Sequence, residues 1–179
     1  MPGSRRLSQR ISEGDGIAII ARVRDVESAR AAEAEGAKAL AVDSAVAGIR
    51  ESTTLPLLWV GRGHPVDADA VAVRPGVDTA PDELEAVLHV QDEDELEDAL
   101  EQHDPQIFLL AARPDDATDD PLESVLELLP DVPAGKLAIA DVAVETRDDV
   151  VALERAGFDA VLAPAGPVDA LVGAAPPDV

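Results

Sequence analysis

The chain contains no cysteine and no tyrosine, and its 179 residues include one tryptophan, two phenylalanines and only two lysines, Lys38 and Lys136. Without cysteine, disulfides, thiolate metal sites and cysteine nucleophiles are excluded by inventory. No stretch approaches the roughly 18 consecutive apolar residues of a membrane-spanning helix. Met1 to Gly16 is basic and polar, without the apolar centre of a signal peptide, so no membrane partner and a cytoplasmic location are expected. Positive charge is scarce as well: 14 basic residues face 37 acidic ones, a formal net charge of -23. Nucleic acid is therefore not an expected partner, because phosphate backbones are gathered by basic surfaces. The three histidines, His64, His89 and His103, show no metal-ligand spacing, and Asp115-Asp116 and Asp119-Asp120 lack the glycine-punctuated calcium-loop pattern. No metal and no cofactor are expected.

What the chain does have is apolar content, 46% of its residues. That suits one domain over residues 1–179, with 1–16 and 174–179 read as flexible ends. Acidic residues run in blocks such as Asp92-Glu93-Asp94-Glu95. Excess Asp and Glu with little Lys is the balance of a halophilic protein, since screening shrinks to about 3 Å in 1 M salt and makes such a surface tolerable. The acidity then describes a solvated surface more than a function.

Eight apolar segments of strand length recur along the chain: Ile17–Arg24, Ala39–Asp43, Leu55–Gly61, Ala70–Arg74, Ala86–Val90, Gln106–Ala112, Leu137–Ala143 and Ala160–Ala163. Most are continuous apolar runs, as strands buried on both faces should be. Helical stretches separate several of them. Asp25 and Gly36 bracket Val26–Glu35, Asp92 with Glu95 opens a helix to Gln102, Asp120-Pro121 opens one to Leu129, and Thr146 and Gly157 bracket the last. Shorter helices are predicted at Ala45–Glu51 and Pro167–Val172. Glu33-x-x-Gly36-x-x-Ala39 recurs as Glu154-x-x-Gly157-x-x-Ala160, either as a repeat or because any helix-to-strand loop favours glycine. Gly63–Asp67 and Pro75–Glu85 are too short for packing helices. The predicted fold is a shortened (βα)8 TIM-like barrel missing some outer helices, with an open parallel α/β sheet as the alternative.

Particular stretches resemble a known family. Leu88–Leu100 (LHVQDEDELEDAL), Ile107–Arg113, Ile139–Val150 (IADVAVETRDDV) and Ala156–Ala163 (AGFDAVLA) resemble the fifth to eighth βα units of indole-3-glycerol phosphate synthase. The resemblance covers Glu85–Gly166, and before it only Ile19–Arg24 and Glu35–Val42. It implies a phosphate-binding TIM barrel, yet most of the family's active-site residues are replaced. Where the family has a glutamate and a catalytic lysine on its first strand, this chain has Arg22 and Arg24. Its second lysine has no counterpart in Trp59-Val60-Gly61-Arg62. The fifth-strand glutamate falls near His89, the sixth-strand asparagines on Ala111-Ala112, the seventh-strand Glu-Ser-Gly on Asp141-Val142-Ala143, and the eighth-strand Gly-Glu on Pro164-Ala165. Only Asp141 keeps the chemical type.

Barrel chemistry is carried at the C-terminal ends of the strands. Arg22, Arg24, Arg62, Arg74 and Arg113 all fall there. Arg22 and Arg24 share strand parity, so one anion can meet both; alternatively the arginines pair with Asp25, Asp43, Asp115 and Asp141. His89 is the histidine inside a strand near this rim, either an acid-base group with Asp141 or a hydrogen-bonded core residue. Trp59 offers a face for ligand stacking or an anchor in the wall. These residues support a catalytically degenerate barrel, a pseudoenzyme binding an anionic metabolite or a partner protein. The rival is a divergent lyase or isomerase on a phosphorylated sugar derivative, using Arg22, Arg24, His89 and Asp141. The helix-poor third and fourth connections also predict uncovered apolar strand faces, and hence a homodimer or hetero-complex through Leu55–Val73.

Overall fold

The computed structural model describes residues 6–14, 16–102, 104–113 and 120–172. Its strands β1 (Ala18–Arg22), β2 (Ala39–Val42), β3 (Leu57–Trp59), β4 (Ala70–Val73), β5 (Glu85–Val90), β6 (Ile107–Ala111), β7 (Leu137–Asp141) and β8 (Ala160–Ala163) follow the eight predicted segments. Each strand pairs in parallel with the next, and β8 returns to β1 to close a barrel. The closing ladder sets Ala18 beside Ala160 and Ala21 beside Ala163, which rules out the open sheet.

Successive strand residues face opposite sides, so each strand feeds two apolar layers. Ile20, Leu58, Val87, Leu109, Ile139 and Leu162 fill the barrel interior. Their neighbours Ile19, Leu57, Trp59, Leu88, Phe108 and Val161 pack in the outer layer. Burial on both sides is why the strands read as unbroken apolar runs rather than alternating ones.

The helices are α2 (Val26–Ala34), α3 (Ile49–Ser52), α4 (Glu93–Gln102), α5 (Pro121–Leu128) and α6 (Arg147–Ala156), after a short α1 (Arg6–Ser12). The predicted caps form: Asp25 and Ser28 make a reciprocal capping box, as do Thr146 and Asp149. Gly36 and Gly157 take φ of 106° and 114°, left-handed values that let the chain turn from helix into strand where a side chain would clash. The sequence echo extends to contacts. Glu33 accepts from the Thr54 amide leading into β3, and Glu154 accepts from the Ile17 amide leading into β1, both at 3.3 Å.

Three expectations change. The sequence predicts a flexible segment over 1–16, whereas Arg6–Ser12 is helical, and Leu7 and Ile11, one turn apart, are buried in the barrel floor. The Ser8 amide and hydroxyl both donate to the Glu85 carboxylate at the start of β5, fixing that plug. Ser8→Ala is expected to lose about 1 kcal/mol, seen as a melting point lower by roughly 2–4 °C; an unchanged melt means that α1 does not depend on this contact. Ala45–Glu51 shortens to α3 because Gly48, at φ 78°, starts the helix late. Pro167–Val172 is a turn, with the Leu171 and Val172 amides both donating to the Val168 carbonyl, and Glu35 and Arg147 hold it in place. One turn gains too few internal bonds to continue as a helix. Residues 174–179 lie outside the described residues.

The outer ring is incomplete, as the short third and fourth connections required. Their strand faces are nonetheless covered: Leu57, Trp59, Val71 and Val73 are at most 5% exposed. Val46, Ile49, Ala68, Ala80 and Leu84 from neighbouring loops and α3 pack against that layer. The outer faces of β3 and β4 are thus covered by the chain itself, and Val66 is the large apolar side chain of the Leu55–Val73 region that stays exposed, at 43%.

Candidate functional site

The inward position after Ile20 on β1 is Arg22, and after Ile139 on β7 it is Asp141, so strand parity delivers both to the same mouth. A cavity of about 870 Å³ opens there, lined by Arg22, Arg62, Arg74, His64, His89 and Asp141 among others. Leu109 and Ala72 line its depth. It sits at the C-terminal ends of the strands, where barrel chemistry is carried.

Two of these arginines, Arg22 and Arg74, are held by carboxylates from other elements. Arg22 Nη2 donates to Asp141 Oδ1 at 3.1 Å, bridging β1 to β7. Arg74 Nη2 donates to Glu95 Oε1 on α4 at 3.2 Å, and its amide donates to Asp78 Oδ2 at 3.3 Å. Glu95 in turn accepts from the Gln91 amide at 2.8 Å, while its own amide donates to Asp92. The capping residues at the start of α4 thus also position Arg74. Both arginine side chains keep substantial exposure, 37% for Arg22 and 51% for Arg74, so neither is consumed by its partner.

His89 stands on β5 between these pairs, partly buried, with apolar Leu109 beside it on β6. Burial is the main cause that holds its imidazole below the ordinary histidine range. Asp141 and Glu95 oppose that effect, and Arg74 and Arg22 add to it. It is neutral at pH 7, able to donate from one nitrogen and accept at the other.

Other expected site residues are placed elsewhere. Arg24 is exposed and, with Arg22, Asp43 and Val60, lines an adjoining chamber of about 270 Å³. Arg113 turns to Asp92 at the start of α4 and does not line the main cavity. Its long side chain finds a capping carboxylate before it reaches the mouth. Trp59 points outward from β3 into the layer behind the barrel wall, so it cannot stack on a ligand in the mouth. The register that sends Leu58 inward dictates this. Asp25 spends its carboxylate on the Ser28 amide as a helix cap rather than on an arginine. His103 and Asp115 lie outside the described residues. Among the described residues no group of three or more His, Asp or Glu is arranged to hold a metal ion, and no helix is long and apolar enough to cross a membrane.

Three residues that shape this mouth carried no signal of it in the sequence. Glu95 was legible as a cap but not as the Arg74 partner. Asp78 was hidden in a proline-rich connection. Gly61 owes its role to a close approach: a Cβ there would lie 1.9 Å from the Asp43 carbonyl oxygen.

Fold and mouth together define a TIM-like α/β barrel, with a shortened outer ring and a charged cavity at the C-terminal ends of the strands. No family model and no curated protein matches the sequence. Solved structures do. Thiamine phosphate pyrophosphorylase from Pyrococcus furiosus superposes with a TM-score of 0.60 and 21% identity, over 83% of this chain and 85% of that one. The N-acetylmannosamine-6-phosphate 2-epimerase from Clostridium perfringens does so with a TM-score of 0.62 and 13% identity, over 89% and 90%. At such identities the similarity shows the fold.

Proposed function

We propose that the barrel mouth binds a small phosphorylated or carboxylated metabolite through Arg22, Arg62 and Arg74. The observation that carries this reading is the convergence of three arginines on one cavity in a chain with 14 basic residues and a net charge of -23. Guanidinium groups grip phosphate and carboxylate through a planar fork, and such charge-assisted bonds are about twice as strong as neutral ones. Both structural neighbours are named for phosphorylated compounds, which agrees with this chemistry.

Calorimetric titration with phosphate, sulfate and anthranilate tests the proposal, since Trp59 is badly placed to report by fluorescence. Arg22→Ala combined with Arg74→Ala is expected to weaken binding about 10–100-fold, the loss of one or more bonds between charged groups. Absence of binding below millimolar in the wild type, or unchanged binding in the double variant, would make these arginines structural ion-pair partners.

A second reading, a divergent lyase or isomerase, draws support from His89. A neutral imidazole beside Asp141 in the same cavity is suited to move a proton on a bound phosphosugar. The finer indole-3-glycerol phosphate synthase lineage is proposed on the β5–β8 sequence patterns, with its catalysis lost. Turnover of that family's phosphorylated anthranilate substrate is expected to be undetectable, because neither catalytic lysine has a counterpart. Indole formation at an ordinary enzymatic rate, about 1–1000 per second, would contradict this.

A further inference from the structure

Before a ligand arrives, much of the positive charge at this mouth is already matched. Asp78 and Asp141 line the cavity with Arg22, Arg62 and Arg74, and Arg22 and Arg74 are engaged by Asp141 and, from α4 outside the lining, Glu95. A dianion entering such a site meets carboxylates as well as guanidiniums. Of the two histidines that line the cavity, His64 is exposed, whereas His89 is partly buried and shares the cavity with Arg22 of β1, Arg74 after β4 and Asp141 of β7, Glu95 of α4 being paired to Arg74. We infer that an anion enters the mouth together with one proton, which His89 takes up, making His89 a further cationic contact beside Arg22, Arg62 and Arg74. This rests on the anion-site reading above and assigns His89 a binding role within it.

The physical reason is linkage. In the free protein burial disfavours the charged form of His89. A bound dianion within contact distance of the imidazole favours the charged form, and by reciprocity the charged form favours the anion. Affinity is then greatest below the free-state titration and weakens as pH rises, by at most about tenfold per pH unit, until the bound-state titration is passed. His64, exposed at the cavity rim, is the other histidine among the described residues that faces the ligand.

Sulfate is the probe, because it remains a dianion throughout the range tested and so contributes no titration of its own. Its dissociation constant is measured between about pH 5.5 and 7.5 at fixed chloride in the wild type, His89→Gln and His64→Gln. The expected result is a weakening of about 3–30-fold with rising pH in the wild type and in His64→Gln, and a flat profile in His89→Gln. Wild-type calorimetry in buffers of different ionisation enthalpy should show uptake of up to one proton per sulfate, a measurement independent of whether His89→Gln folds. Sulfate binding with no pH dependence and no proton uptake overturns the role of His89 while leaving the anion site standing, as does a slope that persists in a folded His89→Gln. No sulfate binding at any pH removes the anion site and this inference together.

Discussion

Replacing Gly61 with alanine is expected to destabilise the barrel by at least about 1–3 kcal/mol and to abolish anion binding at the mouth. The added Cβ would lie 1.9 Å from the Asp43 carbonyl oxygen and 2.9 Å from the Asp43 Cα. Both are main-chain atoms, so no rotamer change relieves the clash; the ends of β2 and β3 must separate. The nearby Val60 amide, which donates to the Val42 carbonyl at 2.9 Å, is pulled with them. Val60 and Gly61 line the main cavity, and Val60, Asp43 and Arg24 line the smaller chamber, so the displacement reaches both. For a chain of this length the stability loss corresponds to a melting point lower by at least about 2–10 °C. Gly63→Ala is the control. Gly63 has φ 85° with nothing within 4 Å of its virtual Cβ, so that substitution costs only backbone strain of about 1 kcal/mol. A Gly61→Ala protein that melts with the wild type and binds sulfate normally would show that β2 and β3 do not need this approach.

The second large effect is on the whole fold. With a formal charge of -23, the compact state repels itself in dilute buffer, and added salt should restore stability. A gain of a few kcal/mol would raise the melting point by on the order of 10 °C for a chain of this size. The shape of the curve separates causes. Screening has most of its effect by the time the Debye length falls from about 30 Å at 0.01 M to about 3 Å at 1 M. Salting-out of apolar surface instead keeps growing with concentration and is stronger for sulfate than for chloride. Melts followed by circular dichroism from dilute buffer to molar potassium chloride should therefore rise steeply and then flatten. A midpoint that does not move would mean that the acidic residues lie far enough apart to need no screening.

Most of the architecture was legible in the sequence because it is local physics. Continuous apolar runs mark strands buried on both faces, Asp25, Asp120 and Thr146 satisfy the first amides of their helices, and Gly36 and Gly157 turn the chain back into strands. The strand-end rule likewise placed Arg22, Arg62, Arg74, His89 and Asp141 near one rim. The floor plug was also written there, as Leu7 and Ile11 at helical spacing, but seven residues without a partner in view read as a loose end. Tertiary structure alone decided the rest. Trp59 and Leu58 are equally apolar, and only the ladder register determines which faces the ligand space. Arg113 and Arg74 are equally long, and only the position of α4 gives one to Asp92 and lets the other reach the cavity. Closure itself depended on whether β8 could meet β1, a pairing between segments more than a hundred residues apart that no local pattern encodes.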